Sequence, residues 1–411
     1  MIMRAILFVF LLSLMVSCAK APEKVVSMKE DVTVLAADDM MGRETGTDGE
    51  RKAADYIASR FEDMGLTPIG TDGYFQEFSF KPSTNPHEEA SLSDSISDGM
   101  IQGRNVLALL DKGGSSTIVI GAHYDHLGMG GQGSLYRGDQ PAIHNGADDN
   151  ASGIAVMLAL ASRLKQVESN NNYLFIAFSG EEMGLLGSNY WAKHPTVDAA
   201  SLNMMVNMDM VGRLNAEKAM AVHGVGTSPV FKQTLFANNE EGFTISEHES
   251  GIGPSDHTSF YLIDLPVLHF FTGQHEDYHK PGDDTEKVNF EGMELIANYI
   301  QRILMDLDDN GKLAFKKTKN ESEEVPRFKV GLGVVPDYLY SGEGMRIDGV
   351  SEDKPAQKAG LQKGDIVKRL DTTAVTDMMS YMRALSRFEK GQKTTVSVER
   401  DGELLDFEIE F

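Results

Sequence analysis

The sequence of 411 residues has only one cysteine, Cys18. A single cysteine excludes an intramolecular disulfide and any zinc site built from several thiolates. Basic residues are also scarce, since 38 Lys and Arg stand against 62 Asp and Glu, for a formal net charge of -24. This deficit argues against a nucleic-acid partner, which needs a basic face, and against simple electrostatic attachment to anionic lipid.

Long hydrophobic runs are missing as well. The apolar stretch 5–16 is shorter than the about 20 residues that a transmembrane helix requires. It follows Arg4 and ends before Ser17 and Cys18, a pattern typical of export signals and similar to those of bacterial lipoproteins. We therefore expect an export signal over 1–18, a lipid on Cys18 and a tether over 19–27. The protein would then be anchored in the bacterial cell envelope, on a periplasmic or outer-membrane face; a plain secretory signal is the alternative.

Strand-like and helical patterns alternate between residues 28 and 307. Such alternation predicts an α/β fold, a three-layer sandwich around a mainly parallel mixed sheet. The strands are predicted over Thr117–Ala122, Tyr173–Phe178, Asn203–Met210 and Pro266–Phe271, and the helices over Gly49–Met64, Ala151–Lys165, Gly184–His194 and Asn289–Leu307.

A polar, charged segment over 308–325 predicts a linker, and the pattern changes after it. Residues 326–411 form short strand-like runs separated by glycines, and Asp401-Gly402 is a strong β-hairpin signal. This second domain is nearly neutral, so the acid excess lies almost wholly in the first domain.

Potential metal ligands occur in five segments, most of them directly after a predicted strand. Such positions meet at one edge of an open α/β sheet, where ligand sites form. The segments are His123-Tyr124-Asp125-His126, Asn145-Gly146-Ala147-Asp148-Asp149-Asn150, Ser179-Gly180-Glu181-Glu182, Asn207-Met208-Asp209 and Tyr278-His279.

Imidazoles and carboxylates without cysteine suit Zn, with Mn or Co as alternatives. Two histidines and three carboxylates suffice for two ions if one carboxylate bridges them. Of the pair Glu181-Glu182, one side chain can bind metal while the other acts as a base towards water. The spacing does not choose between these two, nor between Asp148 and Asp149 as the bridge. Asp125 can orient the His123 ring.

These segments, together with Gly42-Arg43-Glu44-Thr45-Gly46-Thr47, resemble the co-catalytic di-zinc aminopeptidases, a family that also contains glutamate carboxypeptidases and glutaminyl cyclases. The resemblance covers about residues 30–306. It implies that Asp148 bridges two zinc ions, that His123 and Asp209 complete one site, and that Glu182 and His279 complete the other. It also implies that Glu181 is the general base, with Asp125 orienting His123. Ser255-Asp256-His257 would lie near the substrate, with His257 donating to the oxyanion.

Among the activities of this family, we expect an aminopeptidase acting on peptides. The first domain is strongly acidic, and a carboxylate-rich entrance to the site would attract the free α-amine of a peptide. A carboxypeptidase or dipeptidase would need a cation for the substrate carboxylate, and Arg137 and Arg213 are the candidates. A glutaminyl cyclase would use one zinc, and a non-catalytic peptide-binding protein remains a further alternative. His126 and His144 are interpreted as pocket-lining, and the Gly128–Gly133 segment as a flexible loop.

Residues 326–411 resemble a bacterial-type PDZ domain, through the segments Phe328–Val334, Pro355-Ala356, Ala359-Gly360-Leu361 and Gly364-Asp365-Ile366-Val367. The resemblance implies that the N–H groups of Gly331, Leu332, Gly333 and Val334 hold the carboxylate of a peptide or protein C-terminus. A domain that only packs on the first one is the alternative.

Overall fold

The computed structural model describes residues 27–82, 90–93, 99–131, 133–319, 330–337, 339–340, 342–351 and 354–411. The predicted export signal and all but the last residue of the tether lie outside these ranges, so neither is tested. Within the described ranges, the helices are all too short or too polar to cross a lipid bilayer.

The first domain alternates helices and strands, as the sequence predicts. Its helices are α1 Met28–Leu35, α2 Asp48–Asp63, α3 Gly153–Lys165, α4 Leu186–Lys193, α5 Phe231–Ala237, α6 His257–Tyr261 and α7 Phe290–Asp306. Its strands are β1 Thr67–Pro68, β2 Phe75–Lys81, β3 Ser91–Ser93, β4 Ile101–Leu110, β5 Ser116–His123, β6 Asn171–Phe178, β7 Leu202–Met208, β8 Ala219–His223, β9 Thr244–His248 and β10 Val267–Phe271.

The strands form one mixed sheet in the order β3-β2-β4-β6-β5-β7-β10-β8-β9, with β1 beside β4. The four central strands β6, β5, β7 and β10 run parallel to one another. Antiparallel strands flank them on both sides, at β4 and at β8. The carboxyl ends of the central strands therefore meet at one edge, as predicted.

Strand β6 shows why the sheet lies between two helical layers. Its successive side chains point to opposite faces, and both faces are apolar. On one face, Tyr173, Phe175 and Ala177 pack in the large core with α2, α3 and α7. On the other face, Leu174, Ile176 and Phe178 pack with Trp191 of α4 and Phe260 of α6. The predicted three-layer α/β fold is confirmed.

The second domain has its own sheet and core. The strands β11 Val334–Pro336, β12 Met345–Val350, β13 Ile366–Leu370, β15 Lys393–Arg400 and β16 Glu403–Glu410 pair in that order, all antiparallel, with β14 Thr373–Ala374 beside β13. Helices α8 Pro355–Ala359 and α9 Met378–Leu385 cover it. Asp401 and Gly402 both have positive φ, 53° and 82°, as the predicted hairpin turn requires.

The described start of the predicted linker, residues 308–319, packs on the first domain. Leu313 is buried and its N–H donates to Asn203 Oδ1 at 2.7 Å. Thr318 N–H donates to the Tyr261 hydroxyl at 3.0 Å. The polar composition of this segment concealed these contacts, by which the first residues of the predicted linker pack on the first domain.

Candidate metal centre and catalytic pocket

Side chains from four strand ends and one turn converge at the carboxyl edge of the sheet. His123 ends β5, Glu181 and Glu182 follow β6, and Asp209 follows β7. His279 comes from the loop after β10, and Asp149 from the turn before α3. The predicted positions of His123, Glu182, Asp209 and His279 are thus brought together.

Asp149 lies at the centre of this cluster. Its Oδ1 lies 3.3 Å from His123 Nε2, and its Oδ2 lies 3.3 Å from His279 Nε2. His123 Nε2 is also 3.3 Å from Asp209 Oδ1, and His279 Nε2 is 3.3 Å from Glu182 Oε2. These contacts form two groups that share one carboxylate.

The four equal distances fit metal binding better than hydrogen bonding. Donor atoms around a tetrahedral zinc ion, each about 2.0–2.2 Å from the metal, lie about 3.3–3.5 Å from one another. An imidazole–carboxylate hydrogen bond would be shorter, as at His126 Nδ1, which lies 2.8 Å from Glu182 Oε1. The donor set, two imidazoles and three carboxylates with no sulfur, suits a zinc pair.

The expectation that Asp148 bridges the metals is corrected by the structure. Asp148 Oδ1 accepts the Gly212 N–H at 2.6 Å, and its Oδ2 lies 3.2 Å from His275 Nε2, outside the cluster. The turn at Asp149, with φ -106° and ψ 90°, is not helical, so the two neighbouring side chains diverge. Asp283 Oδ2 fixes this turn by accepting both Asp148 and Asp149 N–H groups, at 2.9 and 3.0 Å.

Asp125 lies where a residue that orients His123 should lie. Its Oδ1 is 3.5 Å from His123 Nδ1 and accepts the Glu181 N–H at 3.2 Å. Its Oδ2 accepts the Thr45 hydroxyl at 3.1 Å. The carboxylate therefore connects the imidazole of one predicted ligand to the backbone of the predicted base.

Two sets of donor atoms are close enough to share an ion, His123-Asp149-Asp209 and His126-Asp149-Glu182, and His279 Nε2 lies 3.3 Å from both Asp149 and Glu182 of the second set. Glu181 lies beside these residues and belongs to neither set. Burial raises the pKa of its carboxyl well above the usual range, and the charges of Asp209, Glu182 and Asp256 act in the same direction. His123 opposes them. A carboxylate whose proton affinity is raised in this way suits proton transfer near neutral pH.

The field at the cluster is strongly negative. Burial alone lowers the pKa of the His279 imidazole, yet the charges of Glu182 and Asp149 raise that pKa to about 11. The same pattern raises the pKa of His123 well above its usual range, through Asp209 and Glu181. Buried carboxylates gathered in this way require compensating positive charge, which a pair of divalent cations supplies.

His126 has a closer role than the pocket-lining interpretation gave it. Its ring is fully buried, and its Nδ1 hydrogen bonds with Glu182 Oε1, the oxygen not facing His279. It therefore orients a predicted ligand. His144, by contrast, hydrogen bonds with the Ser134 hydroxyl at 2.7 Å and the Ala142 carbonyl at 2.9 Å, and it is not among the described residues that line the pocket.

A buried arginine joins the segments that carry the cluster. Arg43, fully buried, donates to the carbonyls of Tyr124 at 2.7 Å, Leu35 and Asn145 at 2.6 Å each, and Gly146 at 2.9 Å. Burial lowers its pKa to about 10, still well above neutral. The motif Gly42–Thr47 thus serves to hold the loops around His123 and Asp149.

Four histidines that the sequence did not single out as a group stack beside the cluster. The sheet register places His269 of β10 opposite His223 of β8, and His223 beside His248 of β9. His257 stacks on His269 with ring centroids 4.5 Å apart. We name these four residues the histidine ladder. Predicting it from the sequence would have required knowing that β10 pairs with β8 and β8 with β9.

The predicted substrate contact of His257 does not fit its surroundings. The ring is fully buried against His269, and burial holds the pKa of its imidazole well below the usual range. Asp256 is also fully buried, and burial raises its pKa to about 7. His269 and His223, rather than His257, line the catalytic pocket.

The catalytic pocket is a cavity of about 110 Å³ above the ligands. Apart from the cluster, its described walls comprise Met210, His223, Pro254, His269, Phe271, Gln274 and Tyr278. No Lys or Arg occurs among these described lining residues. Arg213 instead donates to Asp277 Oδ2 at 2.8 Å, and Arg137 donates to the Ser134 and Tyr136 carbonyls.

An α/β domain with two imidazole–carboxylate groups sharing one carboxylate at its strand ends belongs to the class of metallohydrolases. Peptidase family M28 matches residues 105–304, and the PDZ domain family matches residues 314–411. The first domain is therefore a member of peptidase family M28, and the second is a PDZ domain.

Curated relatives match parts of the chain. Aminopeptidase YwaD of Bacillus subtilis is 34% identical over 174 residues, 39% of this chain and 38% of that protein. A probable leucine aminopeptidase of Arthroderma otae is 29% identical over 203 residues, 46% of this chain and 53% of that protein. The chain thus spans about half or less of the length of these two relatives.

Solved structures share the fold. A zinc aminopeptidase from Bacillus subtilis superposes with a TM-score of 0.53 at 18% identity, covering 73% of this chain and 100% of that one. A glutaminyl cyclase from Bacteroides thetaiotaomicron gives 0.54 at 17% identity, covering 68% of this chain and 96% of that one. Both values support the fold, and neither distinguishes the two activities.

Proposed function

We propose that the protein is a zinc-dependent aminopeptidase that removes the first residue of unblocked peptides. The observation that carries this proposal is the pair of ligand groups sharing Asp149, with Glu181 beside them. Membership of peptidase family M28 and the aminopeptidases among its relatives support it.

Each residue then has a defined task. His123, Asp149 and Asp209 would hold one zinc ion, and His279, Glu182 and Asp149 the other. When bound, the zinc pair would act as Lewis acids towards a water molecule and the scissile carbonyl. Glu181 accepts a proton from the attacking water and transfers it to the nitrogen of the leaving amine. Asp125 and His126 hold His123 and Glu182 in position.

The charges around the pocket favour an aminopeptidase over a carboxypeptidase. A carboxypeptidase needs a cation for the terminal carboxylate, and the described pocket walls offer none. Arg213, one of the two candidates, is paired with Asp277 at 2.8 Å and lies 3.7 Å from Asp283. A free α-amine, in contrast, carries the charge that a carboxylate-rich pocket attracts.

The experiment that tests this proposal measures amino-acid release from aminoacyl amides, with and without N-acetylation. We expect release from the unblocked substrates only, and complete loss after zinc chelation with recovery on zinc addition. Equal turnover of N-acetylated substrates would exclude an aminopeptidase. Ammonia release from an N-terminal glutaminyl peptide, without peptide-bond cleavage, would instead identify a glutaminyl cyclase. Zinc binding without either reaction would identify a peptide-binding protein.

We also propose that the PDZ domain binds a peptide C-terminus at residues 331–334. The N–H groups of Gly331, Leu332 and Gly333 donate to none of the described residues, whereas the Leu332 and Gly333 carbonyls accept from Ala356 and Ser351. The strand β11 that follows is the edge of its sheet and can accept an added strand. Binding of a free peptide, lost when its C-terminus is amidated, tests this.

The lipid anchor remains a proposal that rests on the sequence around Cys18. Expression of the full chain should place the protein in the membrane fraction, and Cys18→Ser should release it. Unchanged membrane association of Cys18→Ser would contradict a lipid on this residue.

A further inference from the structure

A side chain of the PDZ domain contacts the wall of the catalytic pocket. Leu339 packs against three buried side chains of the first domain, Met210, Ala221 and Phe271, and Tyr278 packs against the same three. We name Met210, Ala221, Phe271 and Tyr278 the wall cluster. Of these, Met210, Phe271 and Tyr278 line the catalytic pocket. The second domain therefore reaches the side chains that bound the space available to a substrate.

The contact between the two domains is close. Leu339 lies over Gly273, two residues after β10, where a Cβ atom would come 2.8 Å from Leu339 Cδ1. Gly273 also has a φ of 97°, which L side chains rarely adopt. A glycine at this position lets the PDZ leucine approach the backbone beside the pocket.

The loop that carries Leu339 is held in place from within the PDZ domain. The Leu339 N–H donates to Asp337 Oδ1 at 2.9 Å, and Arg346 Nε donates to Asp337 Oδ2 at 2.7 Å. The Asp337 N–H donates back to the Arg346 carbonyl at 2.9 Å. The Arg346 guanidinium also lies 4.8 Å from the centre of the Tyr340 ring. These contacts hold the backbone of Leu339 to the PDZ domain.

The wall cluster is joined covalently to two proposed ligands. Met210 directly follows Asp209, and Tyr278 directly precedes His279. Met210 has a strained φ of 53°, and Thr272 holds its carbonyl through N–H and hydroxyl donation at 2.9 and 2.7 Å. Because this backbone is fixed, displacing Leu339 should move the side chains of the wall more than the ligands.

We propose that Leu339 is a positioning residue for substrate selection, by which the PDZ domain shapes the pocket that receives the first side chain of the peptide. The inference rests on the proposed aminopeptidase function. The substrate class it names is an unblocked peptide whose first side chain is large and apolar, because Leu339 supports the apolar side of a cavity of about 110 Å³. Leu339 acts through Met210 and Phe271, which line the pocket, and touches no reacting atom.

The test compares Leu339→Ala, Leu339→Met and Leu404→Ala in the full chain loaded with zinc. Leu404 lies on β16 with its side chain 63% exposed, so Leu404→Ala is the same substitution away from the pocket. The substrates are unblocked leucyl, phenylalanyl and alanyl amides, measured for kcat and KM separately. Zinc content and thermal unfolding are recorded for every variant.

For Leu339→Ala we expect kcat/KM on leucyl and phenylalanyl amides to fall about three- to tenfold through KM, as for a lost apolar contact. In this variant, turnover of the alanyl amide, zinc content and kcat should stay near wild type. Leu339→Met should keep most of the preference for leucyl and phenylalanyl amides over the alanyl amide. Leu404→Ala should match wild type on all three substrates. An unchanged preference in Leu339→Ala, or an equal loss on all three substrates with less zinc, would overturn the inference. A wild-type protein that cleaves none of these amides would instead overturn the aminopeptidase proposal.

Discussion

Asp365 in the PDZ domain and Asp149 in the peptidase domain are two buried carboxylates whose charges are balanced in different ways. In the described part of the PDZ domain, Asp365 is the only carboxylate or cation that is buried, and Arg400 pairs with both of its oxygens, at 2.6 and 2.8 Å. In the peptidase domain, Asp149 is also buried, yet its nearest charged neighbours are imidazoles and other carboxylates. A carboxylate paired with arginine needs nothing more, whereas a cluster of carboxylates and imidazoles is complete only with bound cations.

The largest effect is expected at Glu181, a partly buried carboxyl group that lies beside the ligands but outside both ligand groups. Glu181→Gln should lower kcat by about 10²–10⁴-fold, because the base that accepts the proton is lost. Zinc content, measured by mass spectrometry, should remain at the wild-type value.

The matched variant is Glu182→Gln, one residue along the same loop. It should lose both activity and zinc, since Glu182 lies 3.3 Å from His279 within a ligand group. Normal turnover by Glu181→Gln would show that Glu181 is not the base.

Asp125 tests the positioning of a ligand rather than its presence. Asp125→Asn should weaken zinc affinity or activity by about 10–100-fold, the usual cost of losing a partner that orients a ligand. Competition with a chelator of known affinity measures the effect. Asp111→Asn, on the exposed loop after β4, is the control and should behave as wild type.

Variants of Arg43 test whether a buried charge in the peptidase domain can stabilise the fold without binding metal. Arg43→Lys cannot reach all four carbonyls that Arg43 contacts, and each buried group left unsatisfied costs about 1–3 kcal/mol. Denaturant unfolding should show this loss. Arg51→Lys is the control, because the exposed Arg51 also donates to two carbonyls, those of Gly46 and Thr47. Equal stability of both variants would contradict the anchoring role of Arg43.

The smallest effect is expected in the PDZ domain, where polar groups serve local structure. Asp377 caps α9, accepting the Ser380 N–H at 2.7 Å in a reciprocal capping box. Asp377→Ala should lower the stability of this domain by about 1 kcal/mol. Thermal unfolding measures it, and zinc content should not change; a loss of zinc would mean that the two domains are more strongly coupled than the contact at Leu339 suggests.

The fold and much of the site could be predicted from local patterns. The apolar runs of β5, β6, β7 and β10 define the parallel centre of the sheet, and three of the ligands, His123, Glu182 and Asp209, lie at or just after the ends of β5, β6 and β7. The hairpin at Asp401-Gly402 follows from the conformations that these two residues tolerate.

Four features of the site could not be predicted from local patterns, because each depends on the three-dimensional arrangement of the chain. Asp148 and Asp149 are chemically identical, and only the non-helical turn decides which one faces the histidines. The bond between His126 and Glu182 joins residues 56 positions apart, and the histidine ladder depends on strand pairing. The contact of Leu339 with the wall cluster joins two domains, and no local sequence pattern in either domain predicts it.

The central claim, that one shared carboxylate holds two zinc ions, is tested most directly by the zinc content of purified Asp149→Asn and Asp148→Asn. The account predicts about two zinc ions per chain in the wild type. It predicts a loss of zinc and activity in Asp149→Asn, and retention of zinc in Asp148→Asn, whose carboxylate bonds with Gly212 instead. Zinc retained in Asp149→Asn and lost in Asp148→Asn would contradict it.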